Sequence, residues 1–166
     1  MGNGLNMNGA PGEYEAQLKA LMRILTLMES AGEGVLGKGA PAMMYQAGLD
    51  TGKAASYLPG KTADLDRALA LIGSEWEDGI WRVERWRDPG EGEWAERNGR
   101  RSTWLVFRAC PLLSLGRRTG STTGGLLCQS LHGYMAGRIG LMMDTRVDIR
   151  ISHCGPRACK LLLEVK

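Results

Sequence analysis

All four cysteines and both histidines of the chain lie in its C-terminal half. Cys128 and His132 are four residues apart, so both side chains point the same way if this segment is a helix. His153, Cys154 and Cys159 surround a short turn that contains Gly and Pro. Thiolate and imidazole groups bind zinc tightly, in tetrahedral sites with about four ligands. We therefore predict a structural metal site built on Cys128, Cys154 and Cys159.

The spacing of the residues alone does not identify the fourth metal ligand. His153 follows the strand alternation of Ile151 and can turn inward, while Cys110 and His132 are alternatives. A Cys-x4-Cys pair with a distant third cysteine is less specific than paired Cys-x2-Cys motifs, and Cys128 can equally be a small buried side chain on a helix face. Zinc is the metal we expect. An iron–sulfur cluster is the alternative, although the closely spaced cysteines typical of such clusters are missing.

The first part of the chain is predicted to form helices, because its apolar residues recur at helical spacing. Tyr14, Leu18, Leu21, Leu25 and Met28 recur at helical spacing and predict an amphipathic helix that ends in a Gly-rich segment. Pro and Gly bound a second helix, and a third begins with an acidic first turn. The Gly-rich segment and these two helices are Gly32–Gly39, Pro41–Leu58 and Thr62–Gly73. The second helix is rich in Ala and Gly, which lets a neighbouring backbone come close.

Strand alternation dominates the second part of the chain. Val147, Ile149 and Ile151 alternate with charged residues, a pattern typical of a half-buried strand. The other predicted elements are strands at Gly79–Arg87, Ser102–Ala109 and Cys159–Val165, a polar loop at Asp88–Arg101 and a helix at Thr123–Met142. This order predicts an α+β fold, in which N-terminal helices pack on a mostly antiparallel sheet with one inserted helix. We expect a disordered tail over 1–12 and a single domain over 13–166.

Composition argues against several classes of protein. The chain has 166 residues and a net charge of +3, too mild a basic bias to predict nucleic-acid binding. No apolar run reaches the roughly 20 residues that span a bilayer, and the N-terminus has no apolar signal segment, so we expect a cytoplasmic protein. The Gly-rich segment 116–125 lacks the Gly-Lys-Ser/Thr ending of a phosphate loop. Without a catalytic triad or a nicotinamide motif in the sequence, we favour binding over catalysis.

Aromatic and thioether side chains supply the candidates for an apolar ligand pocket. For each of them taken singly, a place in the ordinary hydrophobic core explains the residue type at least as well. The candidates are Met44, Tyr45, Trp81, Trp104, Phe107 and Tyr134.

Three segments in order resemble the four-vinyl-reductase-type, or hydrocarbon-binding, domain family. The first, VLGKGAPAMMYQAGLDTGKAA at 35–55, carries an aromatic-x-x-Gly-x-x-x-Gly pattern. The second is CQSLHGYMAG at 128–137, and the third is HCGPRAC at 153–159, followed by KLLLEV. The resemblance covers about 34–166. It implies a fold related to TRAPP vesicle-tethering subunits and to the haem–nitric-oxide-binding superfamily.

The resemblance also implies a homodimer that holds a small apolar or aromatic molecule, as a sensor or carrier that communicates with a protein partner. It further implies zinc bound by a Cys, a Glu and two more Cys, and the three cysteines match Cys128, Cys154 and Cys159 here. The position of the Glu is Ile151 in this chain, so another group must replace it, and His153 is our choice. A TRAPP-like dimeric scaffold and an accessory factor in tetrapyrrole (bacteriochlorophyll) reduction are the alternative functions.

Overall fold

The computed structural model describes residues 11–55, 60–75, 81–87, 90, 92–97, 99–113, 124–155 and 157–166. The helices are α1 (Pro11–Leu36), α2 (Ala40–Ala54), α3 (Leu65–Ser74) and α4 (Leu126–Met143). The strands are β1 (Arg82–Trp86), β2 (Ala95–Arg97), β3 (Arg100–Ala109), β4 (Val147–Cys154) and β5 (Cys159–Val165). Within these ranges, every helix is too short or too polar to cross a membrane.

The strands form one antiparallel sheet in the order β1-β3-β5-β4, and β2 pairs with the first residues of β3. The last strand, β5, is therefore central, with β3 on one side and β4 on the other. Its first residue, Cys159, lies opposite Phe107 of β3 and Cys154 of β4. α4 is inserted between β3 and β4. The arrangement confirms the predicted α+β fold.

The hydrophobic core lies between one face of the sheet and the helices α3 and α4. Alternate residues of the central strands face it, and they are almost completely buried: Leu105, Phe107, Leu161 and Leu163. The two helices contribute Leu65, Leu69, Ile72, Met135, Ile139 and Met142. α4 packs on the sheet with one side and on α2 with another, and for this reason it is apolar almost all round.

α2 and α4 pack backbone against backbone. A methyl group placed on Gly48 of α2 would lie 2.0 Å from the carbonyl oxygen of Ser130, and one placed on Gly133 of α4 would lie 2.0 Å from that of Tyr45. The glycine one turn further along each helix makes a contact of the same kind. A side chain larger than hydrogen would force the helices apart. The close approach predicted from the small residues of α2 is therefore confirmed.

Several elements depart from their predicted bounds, and two of the differences affect how the elements pack. α1 continues through the Gly-rich segment to Leu36, and a 3-10 turn at Gly37–Gly39 joins it to α2. Gly32 marks the place where α1 crosses α4, because a methyl group on Gly32 would lie 3.1 Å from the Leu126 side chain. The predicted polar loop contains the short strand β2, which lengthens the edge that pairs with β3.

Several predictions lie outside the described residues. They concern most of the N-terminal tail and most of the Gly-rich segment 116–125. The second helix, predicted to reach Leu58, ends at Ala54, because Ala55 leaves the helical conformation. α1 begins at Pro11, two residues inside the predicted tail.

Candidate functional site

The four thiols lie at one end of the sheet. Cys110 follows the last residue of β3, and Cys128 is in the first turn of α4. Cys154 ends β4 and Cys159 begins β5, and these two are cross-strand partners with hydrogen-bonded thiols. The N–H of Gly124 donates to the Cys128 Sγ at 3.4 Å, and a methyl group placed on Gly124 would lie 3.9 Å from the Cys154 Sγ. Three strand ends and the start of a helix thus bring all four cysteines together.

Burial and mutual proximity keep the thiols of Cys110, Cys128 and Cys159 protonated. Burial raises the pKa of Cys110, and it raises the pKa of Cys128 to about 11 and that of Cys159 to about 12. The hydrogen bond with Cys154 and the charges of the other thiols raise the pKa of Cys159 further. The Gly124 N–H favours the Cys128 thiolate, but burial outweighs it. Every pair among the four thiols is close enough for such an interaction.

A β-bulge in β4 decides which side chain near the turn faces the thiols. The pairing with β5 shifts by one residue between Ile151 and His153, and Ser152 is the extra residue. The extra residue reverses the alternation, so Cys154 shares the inner face with Ile151. His153 is exposed on the opposite face. The inward orientation that simple alternation predicts for His153 differs from the one observed.

The four thiols are close together, but their present arrangement is not that of a metal site. In the described ranges, no group of three or more Cys, His, Asp or Glu side chains is arranged to hold a metal ion. The thiols would have to turn about χ1 to point at one ion. Ile151, which takes the place of the glutamate expected from the family resemblance, borders the cluster: its Cδ1 would lie 3.9 Å from a methyl group on Gly124.

His132 lies in the core, one turn after Cys128 on α4. Its side chain is 4% exposed, and its Nδ1 has no hydrogen-bond partner in the described part of the chain. Burial lowers the pKa of His132 to about 4, so the ring is neutral at pH 7. The centroids of the His132 and Phe107 rings are 6.1 Å apart, and Trp81 stacks on Phe107 at 5.7 Å. We call Trp81, Phe107 and His132 the buried aromatic group.

Tyr45 joins α2 to β4 and borders an open pocket. Its hydroxyl donates to the Asp148 Oδ1 at 2.9 Å and accepts from the Ile149 N–H at 2.9 Å. Burial raises the pKa of Tyr45 above its ordinary value, so the hydroxyl stays protonated. The pocket has a volume of about 650 Å³ and both apolar and charged walls. The residues that line it include Gln46, Leu49, Lys53, Ala136, Arg146 and Lys166.

The other three pocket candidates lie elsewhere. Trp104 is on the outer face of the sheet, where the Lys160 Nζ is 4.5 Å from its ring centre. Tyr134 donates to a Glu75 carboxylate oxygen at 2.9 Å, and Met44 is half-buried on α2. Of the six pocket candidates, the structure brings the two in the buried aromatic group together.

Glu29 of α1 makes a contact that sequence reasoning missed. Its Oε1 accepts from the Leu127 N–H at 3.1 Å, and so it caps α4, whose N-cap residue Gly125 has no side chain. The carboxylate also adds to the raised pKa of Cys128. Nothing in the α1 sequence could indicate this partner, because it lies 98 residues away in the chain.

A similar fold is found in the phenol-responsive sensory domain of the transcription activator PoxR, whose crystal structure was determined with phenol. The two structures superpose with a TM-score of 0.57 at 16% sequence identity, over 87% of this chain and 74% of that chain. No protein-family model and no curated protein matches this chain. At this identity, the likeness establishes the fold.

Proposed function

We propose that the chain is a small-molecule-binding sensor or carrier module of the hydrocarbon-binding type, which acts in the cytoplasm. The observation that carries this proposal is that the His132 Nδ1, beside the rings of Phe107 and Trp81, has no hydrogen-bond partner among the described residues. The fold it shares with a phenol-responsive sensory domain supports the same function. A concave or interior apolar site with a few polar atoms is the usual form of a small-molecule site.

The ligand we propose is a small aromatic molecule that carries a hydroxyl group. A buried polar atom without a partner costs about 1–3 kcal/mol, and a ligand that bonds to the His132 Nδ1 recovers part of this cost. The hydroxyl of such a ligand donates a hydrogen bond to the unprotonated Nδ1 of the neutral ring. Phe107 and Trp81 supply flat apolar surface for an aromatic ligand. Because the group is closely packed, entry of the ligand requires these side chains to move apart.

His132→Leu should weaken the binding of phenol, used as the probe, by about tenfold, since a hydrogen bond contributes about 1–1.5 kcal/mol. Isothermal titration calorimetry measures the affinity. For the unmodified chain, the affinity should hold from pH 8 to about pH 5 and fall towards pH 4. The pKa of His132 is lowered to about 4, and a protonated ring cannot accept the hydrogen bond.

Gln46→Ala is the matched control, because Gln46 is exposed and lines the open pocket. Its affinity for phenol should equal that of the unmodified chain. If Gln46→Ala weakens binding and His132→Leu does not, the ligand lies in the open pocket and the proposed site is wrong. Failure of the unmodified chain to bind phenol or any of a panel of apolar aromatic compounds would contradict the proposed function.

The cysteine cluster, in this proposal, holds a structural zinc ion. Soft thiolates are preferred ligands of zinc, and the closely spaced cysteines typical of an iron–sulfur cluster are missing here. The cluster adjoins the buried aromatic group through two elements. Cys128 precedes His132 by one turn of α4, and Cys159 pairs with Phe107 across the sheet. A bound ion would therefore fix the backbone on which the ligand site is built.

We propose further that the module is a homodimer that pairs through α1. Leu21, Ile24, Met28 and Val35 are 52%, 54%, 65% and 84% exposed, and they follow the heptad spacing of a two-helix seam. Exposed apolar surface of this kind typically marks an interface.

Met28→Glu should convert the dimer to a monomer, because it places a charge in the middle of the seam. Sedimentation velocity measures the mass. Ser30→Glu introduces the same side chain at an exposed position of α1 off the seam and should leave the dimer intact. A monomeric unmodified chain at micromolar concentration would rule out this mode of assembly.

A further inference from the structure

We infer that Cys110 supplies the fourth ligand of the metal site, so that four thiolates hold the ion without a histidine or a carboxylate. This inference rests on the metal site of the proposed function and specifies its ligands. The four ligands are Cys110, Cys128, Cys154 and Cys159.

The register of the sheet brings Cys110 to the other thiols. Phe107 of β3 lies opposite Cys159, the first residue of β5. Cys110 is three residues after Phe107, just past the end of β3, so it lies beyond the start of β5 and towards the turn that follows Cys154. Cys110 and Cys159 are each 8% exposed. Cys128 and Cys154 are partly buried. A largely shielded group of four thiols matches the closed four-ligand sites that hold structural zinc.

The other candidate ligands face away from the thiols, pack on another side chain or already accept a hydrogen bond. His153 is exposed on the outer face of the sheet, on the far side of the bulge from the thiols. The His132 ring lies against Phe107, and burial alone accounts for its lowered pKa. Glu29 lies beside Cys128, but its Oε1 accepts the Leu127 N–H that begins α4. Cys110 is therefore the donor best placed to replace the glutamate that is Ile151 in this chain.

The chemistry of binding is an exchange of protons for a metal ion. One Zn²⁺ and four thiols form four Zn–S bonds, release four protons and leave the site with a net charge of −2. Each thiol must lose its proton to bind the ion, so zinc affinity falls as the pH falls. The Gly124 N–H, 3.4 Å from the Cys128 Sγ, stabilises that thiolate once it forms.

Zinc K-edge X-ray absorption of the zinc-loaded full chain counts the ligands directly. We expect four sulfurs at about 2.3 Å and no nitrogen or oxygen at about 2.0–2.1 Å. Cys110→Ser should show three sulfurs and one lighter ligand. In competition with a chelator, it should bind zinc at least about tenfold more weakly, since even the loss of an outer-shell partner costs about that much.

His153→Ala is the matched control and should keep both the sulfur count and the zinc affinity. A spectrum of the unmodified chain with three sulfurs and one nitrogen, which His153→Ala removes, would overturn the inference and keep the metal site. An unmodified chain that binds no zinc, or that carries iron with visible absorption, would overturn the zinc site itself. Even if Cys110→Ser does not fold, the sulfur count of the unmodified chain shows whether the fourth ligand is a thiolate. Phenol binding is measured separately, so a failure of the zinc site can be told apart from a failure of the ligand site.

Discussion

Gly133→Ala is expected to lower the free energy of unfolding by about 2 kcal/mol or more. The added methyl group would lie 2.0 Å from the backbone carbonyl oxygen of Tyr45, and a backbone atom cannot move aside as a side chain can. Overpacking of a close contact costs about 1–3 kcal/mol and sometimes more. The higher helix propensity of alanine returns at most about 1 kcal/mol, so the clash dominates.

Urea unfolding followed by circular dichroism measures this loss, and thermal unfolding should shift by about 2–4 °C for each kcal/mol. Gly73→Ala is the matched control, since Gly73 is also helical and a methyl group there meets nothing within 4 Å in the described part of the chain. Its stability should be unchanged or slightly higher. Equal stability of the two variants would show that α2 and α4 do not pack backbone to backbone.

Glu75→Gln is expected to cost about 3 kcal/mol or more, because it leaves a buried guanidinium without its counter-charge. Arg138 is 1% exposed and forms an ion pair with the Glu75 carboxylate. Within the described part of the chain, its Nε and Nη1 have no hydrogen-bond partner. Glutamine preserves the size of the side chain and an acceptor for the Tyr134 hydroxyl, so the change isolates the charge.

Arg138→Met should cost much less than Glu75→Gln. The Glu75 side chain is 15% exposed just after α3, where water can solvate the carboxylate once its partner is gone. Glu84→Gln is a surface control, since the Glu84–Arg108 pair is 40% and 46% exposed and such pairs contribute about 0–1 kcal/mol. Equilibrium unfolding of the three variants measures how much free energy of unfolding each one loses. A Glu75→Gln variant as stable as the surface control would disprove the buried-charge explanation.

Local patterns in the sequence were sufficient for most of the fold. β5 has the bounds predicted from its apolar run, and β4 begins at Val147, where the alternation begins. The glycines of α2 predicted a close helix contact, and Gly48 makes it. Each of these features depends on residues near one another in the chain. The periodicity of apolar residues and the size of side chains were therefore enough to predict these strands and this helix contact.

The candidate site depended more on contacts across the chain. The sequence indicated Trp81 and Phe107 as pocket residues, and they stack, but it offered His132 only as an alternative for the fourth metal ligand. Which way a residue on α4 points depends on how the helix is rotated against the sheet. That rotation is set by α2 and the core together, so no local pattern reports it.

The sequence by itself determined that the cysteines and histidines lie among the last strands and the inserted helix, within an α+β domain. Only the tertiary structure decided which of them meet. One extra residue, Ser152, turns His153 outward and Cys154 inward, and the register of β3 with β5 brings Cys110 to the other thiols. A bulge and a strand register arise from hydrogen bonds between strands distant in sequence, and residue spacing within one strand does not specify them.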